Sequence, residues 1–353
     1  MPTETKNIAI LFGGCSTEYE ISLQSAYAVI RHLDRTNYTP ILIGIEKKTG
    51  IWRWFRGREE KIREDTWHLG ADCIQVFPSM DRSFHGICYL EEGELRQISL
   101  SAALPVLHGK NGEDGTVQGV LKLSGIPVIG CGVLASAICM DKEMAHRIVA
   151  AAGIKTARSR LLCPGVSEAL IRETAKELGY PLFVKPDRSG SSFGITKVSC
   201  EEMLMQAVED AFLHDDAVLM EEAVPGFEVG CAVLGTKELT VGEVDEIELS
   251  DGFFDYTEKY TLKTSKIHLP ARISREKSQE IKETAKQIYR ILGCSHFARV
   301  DLFLTPDGEL YFNEVNTIPG FTAHSRYPSM MKAAGISFEE ILERILEDGQ
   351  DAV

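Results

Sequence analysis

A polar turn between two runs of alternating side chains constrains the fold most, because it specifies two neighbouring antiparallel strands. The turn is Thr305-Pro306-Asp307-Gly308, and Pro-Asp-Gly is strong turn chemistry. Arg299 and Asp301 alternate with Val300 and Leu302, and apolar residues flank a carboxylate over 312–316. The sequence therefore predicts a β-hairpin over 299–316 with one polar face.

The polar face of this hairpin has the composition of a metal site. With an even number of residues in the loop, Asp301 lies opposite Glu314 and Arg299 lies opposite Asn316. Opposed carboxylates repel each other unless a hard cation lies between them, and carboxylate and amide oxygens suit Mg²⁺. An arginine beside them can stabilise a phosphoryl group on which charge develops. The alternative is a solvated face with a surface arginine–aspartate pair.

Size and charge exclude several classes of protein. The chain of 353 residues exceeds the roughly 250–300 that one core usually serves, so two or three domains are expected. Its net charge of −14 disfavours nucleic acid and anionic membranes as partners. No apolar run is long enough to span a bilayer and no signal segment is recognisable, so we expect a cytoplasmic protein. The scattered cysteines lack Cys-x-x-Cys spacing and indicate reduced thiols.

The order of strand and helix patterns predicts three domains of mixed α/β and α+β class. Residues 1–139 open with a β-α-β pattern and continue with strand-like apolar runs at 103–107 and 126–130, as in a Rossmann-like domain. A small central domain over 140–229 and a C-terminal domain over 230–353 follow. Ligand sites are expected in the clefts between them.

Two segments of the central domain have chemistry suited to a nucleotide. Lys185 ends a predicted strand and precedes the small-residue loop 187–194, whose backbone N–H groups could approach phosphate. The lysine comes before the glycines, unlike in a P-loop, so a plain turn is the alternative. A second strand leads to Glu221, Glu222 and Glu228, whose carboxylates suit ribose hydroxyls and an adenine amino group better than phosphate. An acidic surface turn is the alternative there.

Two loops should lie where parallel strands of the first domain end. One covers 13–18 and ends in Glu18, a carboxylate suited to an ammonium group, and the other covers 108–115 and contains three glycines. Neither contains Gly-x-Gly-x-x-Gly, which disfavours a dehydrogenase. The loop 253–260 is too aromatic for a linker and is expected to act as a lid.

Taken together and in this order, these segments resemble the ATP-grasp enzymes, and specifically the D-alanine:D-alanine ligase family of cell-wall biosynthesis. The resemblance covers nearly the whole chain and is carried by GGCSTEYEISLQS, LHGKNGEDGTVQG, MDK, VKPDRSGSSFG, DYTEKY, ARVD and NEVNTIPGFTAHSRYP. It implies a three-domain ATP-grasp fold, a homodimer, and a ligase that uses ATP to form an acyl phosphate of D-alanine. ATP and two Mg²⁺ ions, for which Mn²⁺ can substitute, would be its cofactors. It also favours the metal interpretation of the hairpin.

The resemblance implies roles for the nucleotide and metal residues. Lys142 and Lys185 would contact the phosphates of ATP, and the loop with Ser191 and Ser192 would close over the γ-phosphate. The adenosine pocket would be formed by Glu221, Glu222, Val224 and Glu228. The Mg²⁺ ions would be held by Asp301, Glu314 and Asn316.

It also implies roles for the residues around the first D-alanine. Glu18 would receive the ammonium group of that substrate and would be linked through Ser191 to Tyr260 of the lid. His108 would lie near the same substrate. Closure of the serine loop and the lid would exclude water, which otherwise hydrolyses an acyl phosphate.

The second substrate would be bound at the other end of the site. Arg299 and the backbone N–H of Gly320 would stabilise the tetrahedral oxyanion, and Ser325 and Arg326 would bind the substrate carboxylate. The chain keeps Lys259-Tyr260, unlike lactate-type ligases, and has Arg326 where housekeeping enzymes usually have an aliphatic residue. Lys259 would contact substrate with the lid closed. The motifs therefore favour D-alanine:D-serine ligases of vancomycin resistance.

Other functions remain open at this point. A housekeeping D-alanine:D-alanine ligase is the main alternative, because a hydroxymethyl group changes the pocket little. Another ATP-grasp carboxylate:amine ligase is a further one. A catalytically dead nucleotide-binding regulator is least favoured, because Lys185, Arg299, Asp301 and Glu314 are all present.

Overall fold

The computed structural model describes residues 5–190, 193–249, 265–322 and 324–349. Three β-sheets and their covering helices organise these residues. The predicted lid residues Lys259 and Tyr260 and the loop residues Ser191 and Ser192 lie outside the described residues. No helix among those described is long and apolar enough to cross a membrane.

The first sheet has seven strands: β1 (Lys6–Gly13), β2 (Tyr38–Ile45), β3 (Trp52–Phe55), β4 (Cys73–Pro78), β5 (Gly86–Glu91), β6 (Glu94–Ser99) and β7 (Ala102–Pro105). Their order is β6-β5-β4-β3-β2-β1-β7. β1 is parallel to both β2 and β7, and the other neighbours are antiparallel. The accompanying helices are α1 (Tyr19–His32), α2 (Glu60–Arg63), α3 (Thr116–Leu123) and α4 (Val133–Met140). Because β1 and β7 are parallel neighbours, the loops that follow them meet at one edge of the sheet, as predicted.

The prediction of a strand over 126–130 was wrong. This segment makes only an isolated parallel bridge, between Val128 and Ala103. The polar groups at its two ends bond elsewhere: the N–H of Ile126 donates to Leu121, and the carbonyl oxygen of Gly130 accepts from side chains outside the sheet. A ladder cannot extend when its terminal donors and acceptors are already used.

The second sheet has four antiparallel strands: β8 (Ser159–Leu162), β9 (Leu182–Pro186), β10 (Thr196–Val198) and β11 (Val218–Glu222). Their order is β10-β9-β11-β8. The helices of this region are α5 (Lys142–Ala151), α6 (Glu168–Leu178) and α7 (Glu201–Phe212). Sequence patterns missed β8 because three of its four residues are exposed, so that it has no apolar run.

The third sheet has six strands, all in antiparallel pairs: β12 (Phe227–Leu234), β13 (Thr240–Val241), β14 (Asp245–Leu249), β15 (Ser265–His268), β16 (Phe297–Leu304) and β17 (Leu310–Asn316). The order is β15-β14-β12-β16-β17, with β13 paired to β12. The helices are α8 (Arg275–Ile291), α9 (Arg326–Ala333) and α10 (Phe338–Asp348). β12 begins before residue 230, and we retain the division at 1–139, 140–229 and 230–353 as a proposal.

Several helices begin at serines whose side chains satisfy free N–H groups of the first turn. Ser167 accepts from Leu170 in α6, and Ser274 accepts from Lys277 in α8. Ser337 forms a full capping box with Glu340 at the start of α10. These side-chain hydrogen bonds help to determine where α6, α8 and α10 begin.

One hydrophobic cluster joins the first and third sheets. It contains Phe12 of β1, Phe297 of β16, and Phe321 and Tyr327 near the start of α9, all buried. The rings of Phe297 and Phe321 lie 5.3 Å apart in an edge-to-face arrangement. This packing holds the segment after β17 against the loops that follow β1 and β7.

Candidate active site

The hairpin pairs the residues that the sequence predicts to face each other, but its loop length differs from the one assumed and a β-bulge compensates. Arg299 lies opposite Asn316 and Asp301 lies opposite Glu314. The loop between the paired strands is 305–309, an odd number of residues, and a β-bulge at Asn313 restores the register near the metal face. The bulge therefore decides which side chains face each other.

The polar face is buried, which contradicts the alternative of a solvated surface. The guanidinium of Arg299 donates two hydrogen bonds to Asp301, from Nε at 2.8 Å and from Nη2 at 2.7 Å. Asn316 Nδ2 donates to Asp301 at 2.9 Å and approaches Glu314 at 3.4 Å. Relative exposure is 5% for Arg299 and 1% for Asp301. A bound cation would require the amide to present its oxygen instead of its nitrogen.

A second buried arginine joins the same face. Arg326 contacts Asp245 through Nε and Nη2, at 2.8 Å each, and Glu228 through Nη1 at 2.8 Å. Its Nη2 is also 3.5 Å from Asp301. Sequence reasoning missed Asp245, because an acidic residue at the start of a strand has no distinguishing signal before its partner is known.

Negative charge exceeds positive charge on this face. Four carboxylates, those of Asp245, Glu228, Asp301 and Glu314, lie around the two guanidiniums of Arg299 and Arg326. Burial, helped by the charges of Asp301 and Glu314, raises the pKa of Glu228 to about 7 against the opposing effect of Arg326. This excess of carboxylate fits a divalent cation. Among the described residues no three His, Cys, Asp or Glu side chains form a metal cluster, so phosphate and water would have to complete the shell.

The predicted nucleotide residues face the hairpin across one cavity. Its volume is about 330 Å³. The predicted site residues that line it are Lys142, Lys185, Glu221, Glu222, Val224, Glu228, Arg299, Asp301, Glu314 and Arg326. Phe183, Phe227 and Phe303 supply apolar walls that sequence reasoning did not identify. A cavity with apolar walls and convergent charges is suited to a nucleotide.

The two lysines are held by different partners. Lys185 Nζ lies 2.8 Å from Glu221 Oε1, and both side chains are buried. Lys142 Nζ donates to the carbonyl oxygen of Ser189 at 2.7 Å, and so contacts the backbone of the predicted phosphate loop. Both lysines line the cavity, so their predicted contact with phosphate is compatible with their positions.

The predicted ammonium-binding carboxylate lies at a second meeting point. Glu18 is buried, and its Oε2 lies close to two glycines, one in the loop after β7 and one in the segment after β9. A Cβ atom would come within 2.4 Å of that oxygen at Gly109 and within 2.7 Å at Gly190. Only glycine fits these positions without displacing Glu18, so Gly190 and the loop after β7 converge on this carboxylate.

His108 links the first domain to the segment after β17. Its Nδ1–H donates to the carbonyl oxygen of Ile318 at 2.9 Å, and Nε2 accepts from Ser25 Oγ at 3.0 Å. Glu113, which sequence reasoning missed, accepts from Gly109 N at 2.9 Å and from Ile318 N at 2.8 Å. These bonds fix the backbone just before Gly320.

Gly320 and Ser325 are neighbours at the start of α9. A Cβ atom on Gly320 would lie 2.9 Å from Ser325 Oγ, which itself accepts from Thr322 N at 3.0 Å. Gly320 and Ser325, predicted to contact the oxyanion and the carboxylate of the second substrate, therefore lie together on one short segment, whereas Arg299 lies on β16.

An antiparallel four-stranded sheet that faces a six-stranded sheet across a cleft of lysines and carboxylates defines a nucleotide-dependent ligase of the ATP-grasp fold. Comparisons with known proteins agree. Residues 7–131 match the family model for the D-ala D-ala ligase N-terminus, and residues 148–347 match that for its C-terminus. The chain belongs to the D-alanine–D-alanine ligase family, whose members use ATP.

Individual relatives cover nearly the whole chain. A putative D-alanine–D-lactate ligase of Streptomyces coelicolor is 47% identical, with 96% of each chain covered. The vancomycin C-type resistance protein VanC2 of Enterococcus casseliflavus is 43% identical, with 97% of each covered. The crystal structure of the VanG D-Ala:D-Ser ligase from Enterococcus faecalis has a TM-score of 0.91 and 53% identity, covering 98% of this chain and 100% of that one.

Proposed function

We propose that this chain joins D-alanine to a second D-amino acid, with D-serine preferred, through an acyl phosphate formed from ATP. The strongest support is that one cavity is lined by two groups of residues. The first group is Lys142, Lys185 and Glu221, and the second is Asp301 and Glu314. Cations for phosphate and oxygens for a metal thus face one space.

The cavity suggests how the nucleotide is oriented. The adenine ring would lie between the apolar walls, with its amino group donating to Glu221 and the phosphates near Lys142 and Lys185. Asp301, Glu314 and Asn316 would hold Mg²⁺, which neutralises charge that develops on the transferred phosphoryl group. The domain interfaces would exclude water from the acyl phosphate.

The first step forms a mixed anhydride. A carboxylate oxygen of D-alanine bonds to the γ-phosphorus as the bond to the β-phosphate oxygen breaks, and ADP leaves. Glu18 would bind the ammonium group of this substrate and thereby orient its carboxylate. Closure by the loop of Ser191 and Ser192 and by a lid containing Tyr260 and Lys259 remains part of the proposal.

The second step forms the peptide bond. The neutral amine of the second substrate attacks the acyl carbon, a tetrahedral oxyanion forms, and phosphate leaves with the proton lost from the amine. Arg299 and the N–H of Gly320 would stabilise the oxyanion. Ser325 and Arg326 would bind the carboxylate of the second substrate.

The preference for D-serine rests on the surroundings of Arg326. The buried carboxylates of Asp245 and Glu228 on this arginine make a polar wall. A hydroxymethyl group can donate a hydrogen bond to such a wall, whereas the methyl group of D-alanine cannot. The similarity to the VanG D-Ala:D-Ser ligase supports the same preference. A housekeeping D-alanine:D-alanine ligase is the alternative.

A competition experiment tests this proposal. The protein is incubated with ATP, Mg²⁺ and equal amounts of D-alanine, D-serine and D-lactate, and the products are identified by mass spectrometry. We expect D-alanyl-D-serine to dominate. A majority of D-alanyl-D-alanine or of the lactate ester would overturn the serine preference, and the absence of any condensation product would overturn the ligase itself.

We further propose a cytoplasmic homodimer that supplies peptidoglycan precursors and has small molecules, not nucleic acid or membrane, as its partners. Light scattering should then give about twice the chain mass of 39.1 kDa. A monomeric mass would contradict the homodimer.

A further inference from the structure

A buried histidine lies directly behind the carboxylate that we assign to the adenine amino group. His146 on α5 and Glu221 on β11 have relative side-chain exposures of only 4% and 5%. His146 Nδ1 and Glu221 Oε2 are 3.6 Å apart, and neither atom has a hydrogen-bond partner among the described residues. Buried polar atoms without partners are rare because their desolvation is uncompensated.

The remaining contacts of the imidazole determine where its proton lies. His146 Nε2 is 2.8 Å from the carbonyl oxygen of Asn313, which can only accept, so Nε2 bears a hydrogen. A neutral His146 therefore presents the lone pair of Nδ1 to the lone pairs of Glu221. Only the imidazolium form can donate a hydrogen bond across this contact.

Burial and two nearby ammonium groups favour the neutral form of His146. Burial lowers the pKa of His146, Lys185 and Lys142 lower it further, and Glu221 and the Asn313 carbonyl oppose them. The Phe312 ring packs on the imidazole at 5.3 Å between centroids and adds no charge. Glu221 already has one cationic partner, since its Oε1 accepts from Lys185.

We propose that His146 is a positioning residue that takes up a proton at Nδ1 when bound nucleotide draws Lys185 away from Glu221. This inference rests on the proposed function, in which Lys185 contacts the phosphates. The proton comes from solvent, and the new N–H donates to Glu221 Oε2, so the imidazolium replaces the ammonium as counter-ion. Glu221 thereby stays charged and directed at the adenine amino group, rather than becoming an unpaired buried carboxylate.

The proposal links nucleotide affinity to pH with a definite sign. Removal of a nearby ammonium group raises the pKa of His146, so the bound state holds more protons than the free state. Nucleotide affinity should therefore be greatest at low pH and fall as pH rises between the two pKa values, by up to about tenfold per pH unit. The effect should enter the KM for ATP rather than kcat, because His146 contacts no reacting atom.

Calorimetry measures the proton directly. Binding of ADP with Mg²⁺ is measured near neutral pH in buffers of different ionisation enthalpy, which reports the net number of protons taken up. In His146→Gln we expect that uptake to disappear while binding persists, because glutamine can still donate to Asn313 O but cannot be charged. The KM for ATP should rise several-fold and lose the histidine-dependent part of its pH profile.

His296→Gln is the matched control. His296 is also buried, donates from Nδ1 to the carbonyl oxygen of Gly130 at 3.0 Å, and has no hydrogen-bond partner for Nε2 among the described residues. It differs in its neighbour: Gly130 does not line the cavity, whereas Glu221 beside His146 does. Proton uptake should be unchanged in this variant. Equal loss of uptake in both variants, or unchanged uptake in His146→Gln, would overturn the inference.

Two further outcomes separate the inference from the proposed function. Nucleotide binding without proton uptake in the unaltered protein overturns the inference alone, whereas the absence of binding overturns both. If His146→Gln does not fold, an NMR titration of the imidazoles in nucleotide-free Lys185→Met replaces it. A raised pKa for His146 in that variant supports the inference, and an unchanged one overturns it.

Discussion

At the scale of single residues, the stability of a charge that is buried away from water depends on the charged and polar groups beside it. The hairpin face places Glu314 opposite Asp301, and Arg299 and Asn316 donate hydrogen bonds to Asp301. We propose that this balance shifts when Mg²⁺ and phosphate enter. Changes of one charge here should therefore have large effects on turnover and on stability.

Glu314→Gln should lower kcat for ADP release from ATP and D-alanine by about 100-fold or more, because one of two metal carboxylates is lost. A coupled ADP assay over a range of Mg²⁺ concentrations measures this. Asp307→Asn is the control, since it makes the same chemical change in the exposed turn of the same hairpin. Near-normal turnover in Glu314→Gln would refute the metal role.

Arg326→Met should lower the free energy of unfolding by about 3–5 kcal/mol, because it leaves buried carboxylates without a counter-ion. Adding Asp245→Asn should recover part of this loss, since the neutral amide no longer needs the arginine. Denaturant unfolding of the two single variants and the double variant gives the coupling free energy. Strictly additive effects would show that the pair of 2.8 Å contacts does not couple the residues.

At the scale of secondary-structure elements, the start of α5 is a meeting point of two acidic loops. Asp141 accepts from Met144 N at 2.8 Å, and Asp187 accepts from Glu143 N at 3.0 Å, so both carboxylates occupy the N-terminal end of one helix. Burial nevertheless dominates at Asp187 and raises the pKa of its carboxyl to about 6. The charge at the N-terminal end of α5 should therefore change at mildly acidic pH, as Asp187 becomes protonated.

The pH dependence follows from that raised pKa. Between the unfolded value of 3.8 and about 6 the folded state holds more protons than the unfolded state, so Asp187 lowers stability as pH rises. Asp187→Asn should remove this dependence and be more stable near pH 7 by on the order of 1–2 kcal/mol. Denaturant unfolding of both proteins across that range checks it. A difference that does not change with pH would contradict the prediction.

At the scale of the whole molecule, the site depends on contacts between domains. Two hydrogen bonds join the loop 108–115 to the segment after β17. His108 donates to the carbonyl oxygen of Ile318, and Glu113 accepts from the N–H of Ile318. Gly320, Ser325 and Arg326, which we propose to contact the oxyanion and the second substrate, are on that segment. We therefore expect substrate binding to depend on the packing of this segment against the loop 108–115.

Glu113→Ala should raise the KM for both amino acids and lower kcat/KM by about 10–100-fold, because two hydrogen bonds to a charged group are lost. Nucleotide affinity should change little, since Glu113 does not line that cavity. Steady-state kinetics and ADP binding together measure this. Glu64→Ala, an exposed glutamate of the same domain, is the control. A loss confined to nucleotide affinity would contradict the linkage.

The sequence alone determined the elements and the chemistry that depend on neighbours along the chain. The turn at 305–308, the lysine near the end of β9 and the helix caps follow from local geometry, which acts over a few residues. The predicted opposition of Asp301 and Glu314 is correct, but it depends on the β-bulge at Asn313, which the sequence did not indicate. The family motifs added roles to those residues. They could not distinguish a short bridge at Val128 from a strand.

Only the tertiary structure decided which distant residues meet. Asp245 and Arg326 are 81 positions apart, and Glu113 and Ile318 are 205 apart. His146 reaches Glu221 only because α5 packs beside β11 and β17. No local propensity encodes such contacts, because they arise from the packing of three sheets around one cleft.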